Sequence, residues 1–163
     1  MSAWHLAQLN TAALRHGIDS PEMADFVAAL DAVNALADVA PGFVWRLTDD
    51  SGNATALRPF GADRIVNLSV WTDLAALRSY VYRSAHADVL RRRREWFDPS
   101  GSVSVLWWVP SGHVPGLDEA RTRAEELAVA GPGPTAFTFG QPYEPPEQSS
   151  RGTVPSRGPM ADA

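Results

Sequence analysis

The residues of this sequence that could bind or catalyse are concentrated in one stretch, residues 80–97, which reads YVYRSAHADVLRRRREWF. On a single continuous helix, Tyr82, His86 and Arg93 would share a stripe along the margin of the buried face. An imidazole titrates near neutral pH and suits general acid or base catalysis, and a guanidinium suits an anionic group. The stripe therefore predicts a site in which His86 is the catalytic base and Tyr82 and Arg93 orient an anionic substrate.

The same stretch also has a purely structural interpretation. The four arginines at 91–94 can form a solvated helix end, with Glu95 and Asp98 as partners, because positive charge is favoured at a helix C-terminus. His86 can be a boundary histidine that is hydrogen-bonded to a neighbour. The residues alone leave both interpretations open.

Polar and aromatic side chains on the predicted strands complete the candidate site. Gln8 and Asn10 are polar residues on one face of the first strand, and Asn67 and Ser69 are polar residues on one face of the strand at 64–71. Polar side chains on an otherwise buried sheet face need hydrogen-bond partners. They either bond each other across strands or line a wet cavity that orients a ligand. Aromatic side chains on these strands can either line such a cavity or simply pack in the hydrophobic core. The candidate substrate-binding residues are Asn10, Asn67, Trp71, Tyr80 and Trp108.

Several kinds of chemistry have no support in the sequence. The chain has no Cys, which excludes disulfides, thiolate metal sites and Cys nucleophiles. His5, His16 and His113 give His86 no companion at metal-ligand spacing, so no metal site is predicted. There is no G-x-S-x-G motif and no Gly-rich phosphate loop, so a covalent serine nucleophile and a bound nucleotide are not expected.

The elements that must position these residues follow the order β-α-β-β-α-β, and a further helix follows. Strands are predicted at residues 4–10, 43–47, 64–71 and 101–110, and a short last strand at 135–139. Helices are predicted from Ser20, from about Asp73, and over 117–130. This order indicates a ferredoxin-like α+β fold with an extra C-terminal helix and a short strand. The folded domain is expected to span residues 1–140, followed by a disordered tail rich in Pro, Gly and Ser at 141–163.

Large apolar side chains alternate on both faces of the central strands. Val105 and Trp107 alternate with Leu106 and Trp108, and the strand at 64–71 has the same character. Three helices are expected to cover one face only. The other face would exceed the apolar patch that a monomer usually exposes, so we predict a homodimer joined through the sheet faces.

Chain length and net charge further limit the classes of protein to which this sequence can belong. The 163 residues fit one domain, and their formal net charge of −5 opposes nucleic-acid binding. No apolar run approaches the roughly 20 residues that a membrane span needs. The N-terminus lacks a basic segment followed by an apolar one, so we expect a cytoplasmic protein without a membrane partner.

Several segments resemble a bacterial family defined as a domain of unknown function, over roughly residues 4–143; among them are HLAQLN, NLSVWTDLAALRSYVYRSAHADVLRRRREWF and LWWVPSGHVPGLDEA. That family belongs to the dimeric α+β barrel superfamily, with the antibiotic biosynthesis monooxygenases and the haem-degrading monooxygenases. The resemblance implies a ferredoxin-like homodimer with a pocket between the sheet and the helices. Cofactor-free members oxidise aromatic polyketides with pocket Asn, Trp and His, to which Asn10, Trp71 and His86 are similar. Haem-degrading members use an Asn, a Trp and a His, to which Asn10, Tyr80 and His86 are similar.

Three functional hypotheses follow. The first is a biosynthetic monooxygenase or cyclase that acts on an aromatic or polyketide-like substrate and uses no cofactor. The second is a dimeric protein that binds a small apolar molecule without chemistry. The third is a haem protein with His86 as the axial ligand.

Overall fold

The structure is a computed structural model that describes residues 2–83 and 86–147. Its strands are β1 (Trp4–Leu14), β2 (Phe43–Arg46), β3 (Arg64–Trp71) and β4 (Phe97–Pro110). Its helices are α1 (Ala24–Asp38), α2 (Leu74–Arg83), α3 (His86–Trp96) and α4 (Leu117–Ala130), and a 3-10 turn at Pro21–Met23 leads into α1.

The four strands form one antiparallel sheet in the order β2-β3-β1-β4. Helix α1 connects β1 to β2, and helices α2 and α3 lie between β3 and β4. This connectivity is the ferredoxin-like plan, so the predicted fold class is confirmed. Both β1 and β4 are longer than the sequence pattern indicates, because β1 runs on to Leu14 and β4 begins at Phe97.

Local sequence explains where α2 begins and how the chain turns into β2. The Asp73 carboxylate accepts a hydrogen bond from the Ala76 backbone N–H at 2.8 Å, which is the arrangement of a helix N-cap. Gly42 has a φ of 82°, and a Cβ at this position would lie 2.5 Å from the Ala76 Cβ. Only glycine fits this turn between α1 and β2, because it allows both the positive φ and the close approach.

One face of the sheet packs against α1 and α2. Leu6, Trp71 and Leu106 project from this face and are buried with Leu77 of α2. Phe137 joins the same cluster from beyond α4, and it pairs with the free edge of β4 through two backbone hydrogen bonds to Leu106 of 2.8 Å each. The expected last strand at 135–139 is thus a single bridge to the sheet.

The opposite face of the sheet is covered within the same chain. Helix α4 and the connection between β2 and β3 pack on it, and Leu68, Val105 and Trp107 are at most 1% exposed. The prediction that all helices lie on one face was wrong. After β4 the chain turns at Gly112, whose φ is 89°, and the Trp107 indole N–H donates to the Glu119 carboxylate of α4 at 2.9 Å. The homodimer stays a prediction, but it loses the argument from an uncovered sheet face.

Contacts with the domain continue past residue 140. The Tyr143 ring lies 6.0 Å from the Phe137 ring, and its hydroxyl donates to the Pro132 carbonyl at 3.2 Å. Residues 148–163 of the expected disordered tail lie outside the described residues. Within the described part of the chain, no helix has both the length and the apolarity to cross a membrane.

The docking of α4 can be tested with one substitution made at two places on that helix. Ala120 is fully buried against the sheet, so Ala120→Leu should lower the free energy of unfolding by about 1–3 kcal/mol through overpacking. Ala128 is exposed, so Ala128→Leu should change it by no more than about 0.5 kcal/mol. Urea denaturation followed by circular dichroism measures both. Equal effects of the two substitutions would mean that α4 does not pack on the sheet.

Candidate functional site

A cavity of about 480 Å³ lies between the sheet and helices α1 and α3. Its volume falls in the range of small-molecule sites in proteins, which is roughly 300–1,000 Å³. Most of its wall is apolar, with side chains from α1, β3 and α3. The apolar residues of this wall include Phe26, Leu30, Val33, Ile65, Val89 and Leu90.

The floor of the cavity carries a row of polar side chains across three strands. The β1 register sets Asn10 opposite Asn67 of β3 on one side and opposite Ser104 of β4 on the other. All three residues line the cavity. The structure therefore brings the predicted pair Asn10 and Asn67 together, and it adds Ser104, which the sequence analysis did not select.

Gln8 is a further polar residue of the floor, one row nearer to Trp71. The Trp71 indole N–H donates to the Ser69 hydroxyl at 3.0 Å, and this hydroxyl donates to the Gln8 side-chain oxygen at 3.5 Å. Because an indole nitrogen can only donate, the direction of this chain of hydrogen bonds is fixed. The amide NH₂ of Gln8 is then the end of this side chain that a ligand oxygen could contact.

His86, the first residue of α3, lines the cavity wall next to Tyr80. The centres of the two rings are 5.2 Å apart. Burial lowers the pKa of His86 below its ordinary value of 6.5, and a hydrogen bond to the Val81 backbone opposes that shift only in part. The imidazole is therefore neutral at pH 7, which is the form that accepts a proton.

Tyr80 is held on both sides of its ring and at its hydroxyl. The ring stacks on Trp71 at 5.1 Å, and the hydroxyl donates to the Val33 carbonyl of α1 at 2.9 Å. Burial raises the pKa of Tyr80 to about 12, so this phenol stays protonated at neutral pH. Tyr80 is suited to shape the wall beside His86 and not to exchange a proton.

The exposed lining residues Tyr82 of α2, Arg93 and Arg94 of α3 and Ser102 of β4 form what we call the mouth of the cavity. Tyr82 is 57% exposed there, and its ring lies 6.3 Å from the Phe139 ring. Arg93 and Arg94 are exposed side chains of the same mouth. Tyr82, His86 and Arg93 all line this cavity, but they do so from two helices, α2 and α3, and not from the single continuous helix that the stripe assumed. Their roles in binding and catalysis stay predictions.

The arginine run divides into two pairs with different surroundings. Arg91 forms an ion pair with Asp88, and Arg92 contacts Asp25 and Glu95 at 2.9 Å each. These two arginines fit the structural interpretation of a solvated helix end. Arg93 and Arg94 line the cavity instead, and sequence analysis missed Arg94 because the ideal helix placed it outside the stripe.

Asp98 was the second expected partner of the arginine run, and the structure gives it a different role. Its carboxylate accepts hydrogen bonds from the Ser100 backbone N–H at 2.9 Å and from the Ser100 hydroxyl at 2.7 Å. It closes a turn within β4, so the expectation that it pairs with the arginines was wrong.

Two of the predicted substrate-binding residues do not line the cavity. Trp71 is 1% exposed beneath Tyr80. Trp108 packs against Phe137 with ring centres 6.4 Å apart, and its indole N–H donates to the Tyr143 carbonyl at 2.8 Å. Their places indicate that they support the site from behind its wall.

The residues of the cavity can be checked for side chains that would hold a metal ion or haem. In residues 2–83 and 86–147 there is no group of three or more His, Cys, Asp or Glu side chains that could hold a metal ion. The residue types do fit haem, because His86 lines the cavity and Arg93 and Arg94 could contact propionates. Bound haem would supply iron-based oxygen activation.

The sequence matches a family model described as "Domain of unknown function (DUF3291)" over residues 5–153. No curated protein matches the chain. A solved protein of unknown function from Nitrosomonas europaea is similar, with 14% identity, 70% of this chain and 97% of that chain covered, and a TM-score of 0.48.

Two further solved structures are similar. SnoaB, a cofactor-independent oxygenase from Streptomyces nogalater, has 17% identity, covers 68% of this chain and 95% of its own, and has a TM-score of 0.44. A dabb family protein with a ferredoxin-like fold from Mesorhizobium loti has 16% identity, covers 67% and 99%, and has a TM-score of 0.46. TM-scores below 0.5 are too low to support a conclusion about this chain. The fold class follows from the strand order and connectivity instead.

The titration of His86 provides a test of its burial. Its imidazole signal in proton NMR should titrate with a midpoint below 6.5, and His86→Gln should remove that signal. Because the folded pKa is the lower one, the unfolded chain takes up the proton first as the pH falls. Wild type should therefore lose stability relative to His86→Gln between about pH 7 and pH 5. A midpoint at or above 6.5 would contradict the burial.

Proposed function

Since this chain belongs to the DUF3291 family, which is defined without a function, we propose its function from the cavity itself. We propose that the protein is an enzyme that acts on an aromatic or polyketide-like small molecule without a nucleotide or metal cofactor. The observation that carries this proposal is a largely buried, neutral His86 on the wall of an otherwise apolar cavity. A cleft that holds a titratable group whose pKa is shifted by burial is a candidate catalytic site.

Apolar contact accounts for substrate binding. Phe26, Leu30 and Val33 of α1 and Val89 and Leu90 of α3 line the cavity. A flat ring system packed against them would remove apolar area from water, which contributes roughly 25 cal/mol per Å². Gln8, Asn10 and Asn67 on the floor would orient it through hydrogen bonds to its oxygen atoms.

Proton removal is the step that the site is built to perform. The neutral imidazole of His86 accepts a proton from a phenol, or from a CH₂ group made acidic by the flanking rings. Amide N–H groups of Asn10 and Asn67 then stabilise the negative charge on the substrate oxygen. In a monooxygenase the anion reduces molecular oxygen, so that CH₂ and O₂ become C=O and water. In a cyclase the anion attacks a carbonyl carbon of the same molecule, and His86 returns the proton.

Other residues hold this arrangement in place. Tyr80 fixes the wall beside His86, and Trp71 supports Tyr80 from below. Tyr82 and Arg93 at the mouth orient the substrate. Trp108 stabilises the neighbouring core through Phe137 and the Tyr143 backbone.

The enzyme hypothesis can be tested with a hydroxylated anthrone, which carries a phenol and an acidic CH₂. We expect the protein to accelerate its oxidation to the quinone in air, with one O₂ consumed for each quinone formed. His86→Gln should lower this rate at least about 100-fold, because general base catalysis commonly contributes that much. His113→Gln is the matched control, since His113 lies outside the cavity and pairs with Glu119. Equal activity of wild type and His86→Gln would remove His86 from the mechanism.

The two alternative functions give different results with the same protein. A binding protein would bind the anthrone and return it unchanged by mass spectrometry after prolonged incubation. A haem protein would develop a Soret band on titration with haemin, and His86→Gln would lose it. A flat spectrum throughout the titration would exclude the haem hypothesis.

A further inference from the structure

The cavity lining is cationic although the protein is acidic. The chain has 19 Asp and Glu residues and a formal net charge of −5. In the described part of the chain, no carboxylate is among the residues that line the cavity. Arg46, Arg93 and Arg94 line it together with His86. The cavity lining is thus positive in a protein whose net charge is negative. A neutral apolar ligand would not need these positive charges, so they call for another explanation.

Arg46 does not account for the reversal, since its charge is already compensated. Its guanidinium donates to both carboxylate oxygens of Asp38, at 2.6 and 3.1 Å, and to the Gly52 carbonyl at 2.7 Å. These contacts join the end of α1 to the connection after β2. Arg46 is therefore part of the framework that holds α1 to the connection after β2.

Arg93 and Arg94 are different, because the acidic residues nearest to them in the sequence are engaged elsewhere. Asp88 pairs with Arg91, Glu95 pairs with Arg92, and Asp98 holds the Ser100 turn. Arg93 donates to the Leu90 carbonyl of its own helix at 2.7 Å. Among residues 2–83 and 86–147, no carboxylate lies within ion-pair distance of Arg93 or Arg94.

We propose that the ligand of this cavity carries a carboxylate, which Arg93 and Arg94 bind at the mouth while its apolar part lies between α1 and α3. A guanidinium presents parallel N–H donors that match a carboxylate, so two adjacent arginines can bind it from two sides. Tyr82 and Ser102 stand at the same mouth and can donate further hydrogen bonds. The aromatic nature of the apolar part rests on the proposed function; the charge does not.

The first test compares an acid with its neutral isostere. Calorimetric titration of wild type with 2-naphthoate and with 2-naphthamide measures the contribution of the charge. We expect 2-naphthoate to bind at least about fivefold more tightly at about 0.02 M salt, and this advantage to shrink at about 0.5 M salt. Equal affinities for the acid and the amide would overturn the proposal, as would the failure of both 2-naphthoate and the fatty acid decanoate to bind.

The arginine run supplies a matched control for the second test. Arg93→Gln/Arg94→Gln and Arg91→Gln/Arg92→Gln remove the same charge from the same helix, but only the first pair lines the cavity. The first variant should lose about fivefold in affinity for 2-naphthoate and keep its affinity for 2-naphthamide. The second should change either affinity less than about twofold. Thermal melts check that both variants are folded, and the wild-type comparison of acid and amide decides the question if one is not.

A fatty acid with the same charged group separates this inference from the proposed function. If decanoate binds with the same dependence on Arg93 and Arg94 while 2-naphthoate binds weakly, the carboxylate inference stands and the aromatic substrate is wrong. If 2-naphthoate binds through both arginines and no ring compound is converted, the inference also stands and the catalytic proposal is wrong. Loss of arginine dependence for both acids would overturn the inference alone.

Discussion

Strand β1 pairs with two neighbours at once, and the rest of the structure depends on that pairing. Its antiparallel partners are β3 on one side and β4 on the other. Because side chains alternate along a strand, a shift of one residue in either register would exchange the two faces. The register determines that Asn10 lies in one row with Asn67 and Ser104 and that Ala7 and Leu9 enter the opposite core.

The two faces of the sheet serve different purposes. The face toward α4 is filled by Leu68, Val105 and Trp107, which are at most 1% exposed. The face toward α1, α2 and α3 carries two apolar clusters, one around Leu6 and Trp71 and the other around Met23, Phe26 and Trp96. Between these two ends the strands carry the polar row of Asn10, Asn67 and Ser104, which lines the cavity. A rigid core on one face thus supports an open site on the other.

The charged groups of α3 also differ between the side of the helix that faces solvent and the side that faces the cavity. The solvent side of the helix is neutralised by ion pairs of Arg91 and Arg92, and the Arg92 guanidinium also lies over the Trp96 ring at 4.8 Å. The cavity side keeps cationic groups near a neutral imidazole. Such an arrangement keeps His86 unprotonated, because burial disfavours its charged form, while the charge at the mouth remains in contact with solvent.

Much of the fold could be predicted from the sequence. The strand at 64–71 and the helix at 117–130 have the bounds of β3 and α4, since alternating and helical apolar patterns in these segments are clear. The ferredoxin-like order followed from the sequence of elements. Helical spacing also selected Tyr82, His86 and Arg93, although they line the cavity from two helices, α2 and α3, and not from one. These features depend on local spacing, which a sequence states directly.

Only the tertiary structure decided which faces the elements cover. Helix α4 crosses to the second face through a short connection at Gly112, and no local pattern encodes that choice. Tertiary packing also decides that Trp71 and Trp108 lie behind the cavity wall. It brings Ser104 beside Asn10 through strand pairing. It also decides that Arg93 and Arg94 line the cavity while Arg91 and Arg92 do not. Residue type and periodicity tell which side chains share a face of an element. What that face meets depends on packing between segments that are distant in the sequence.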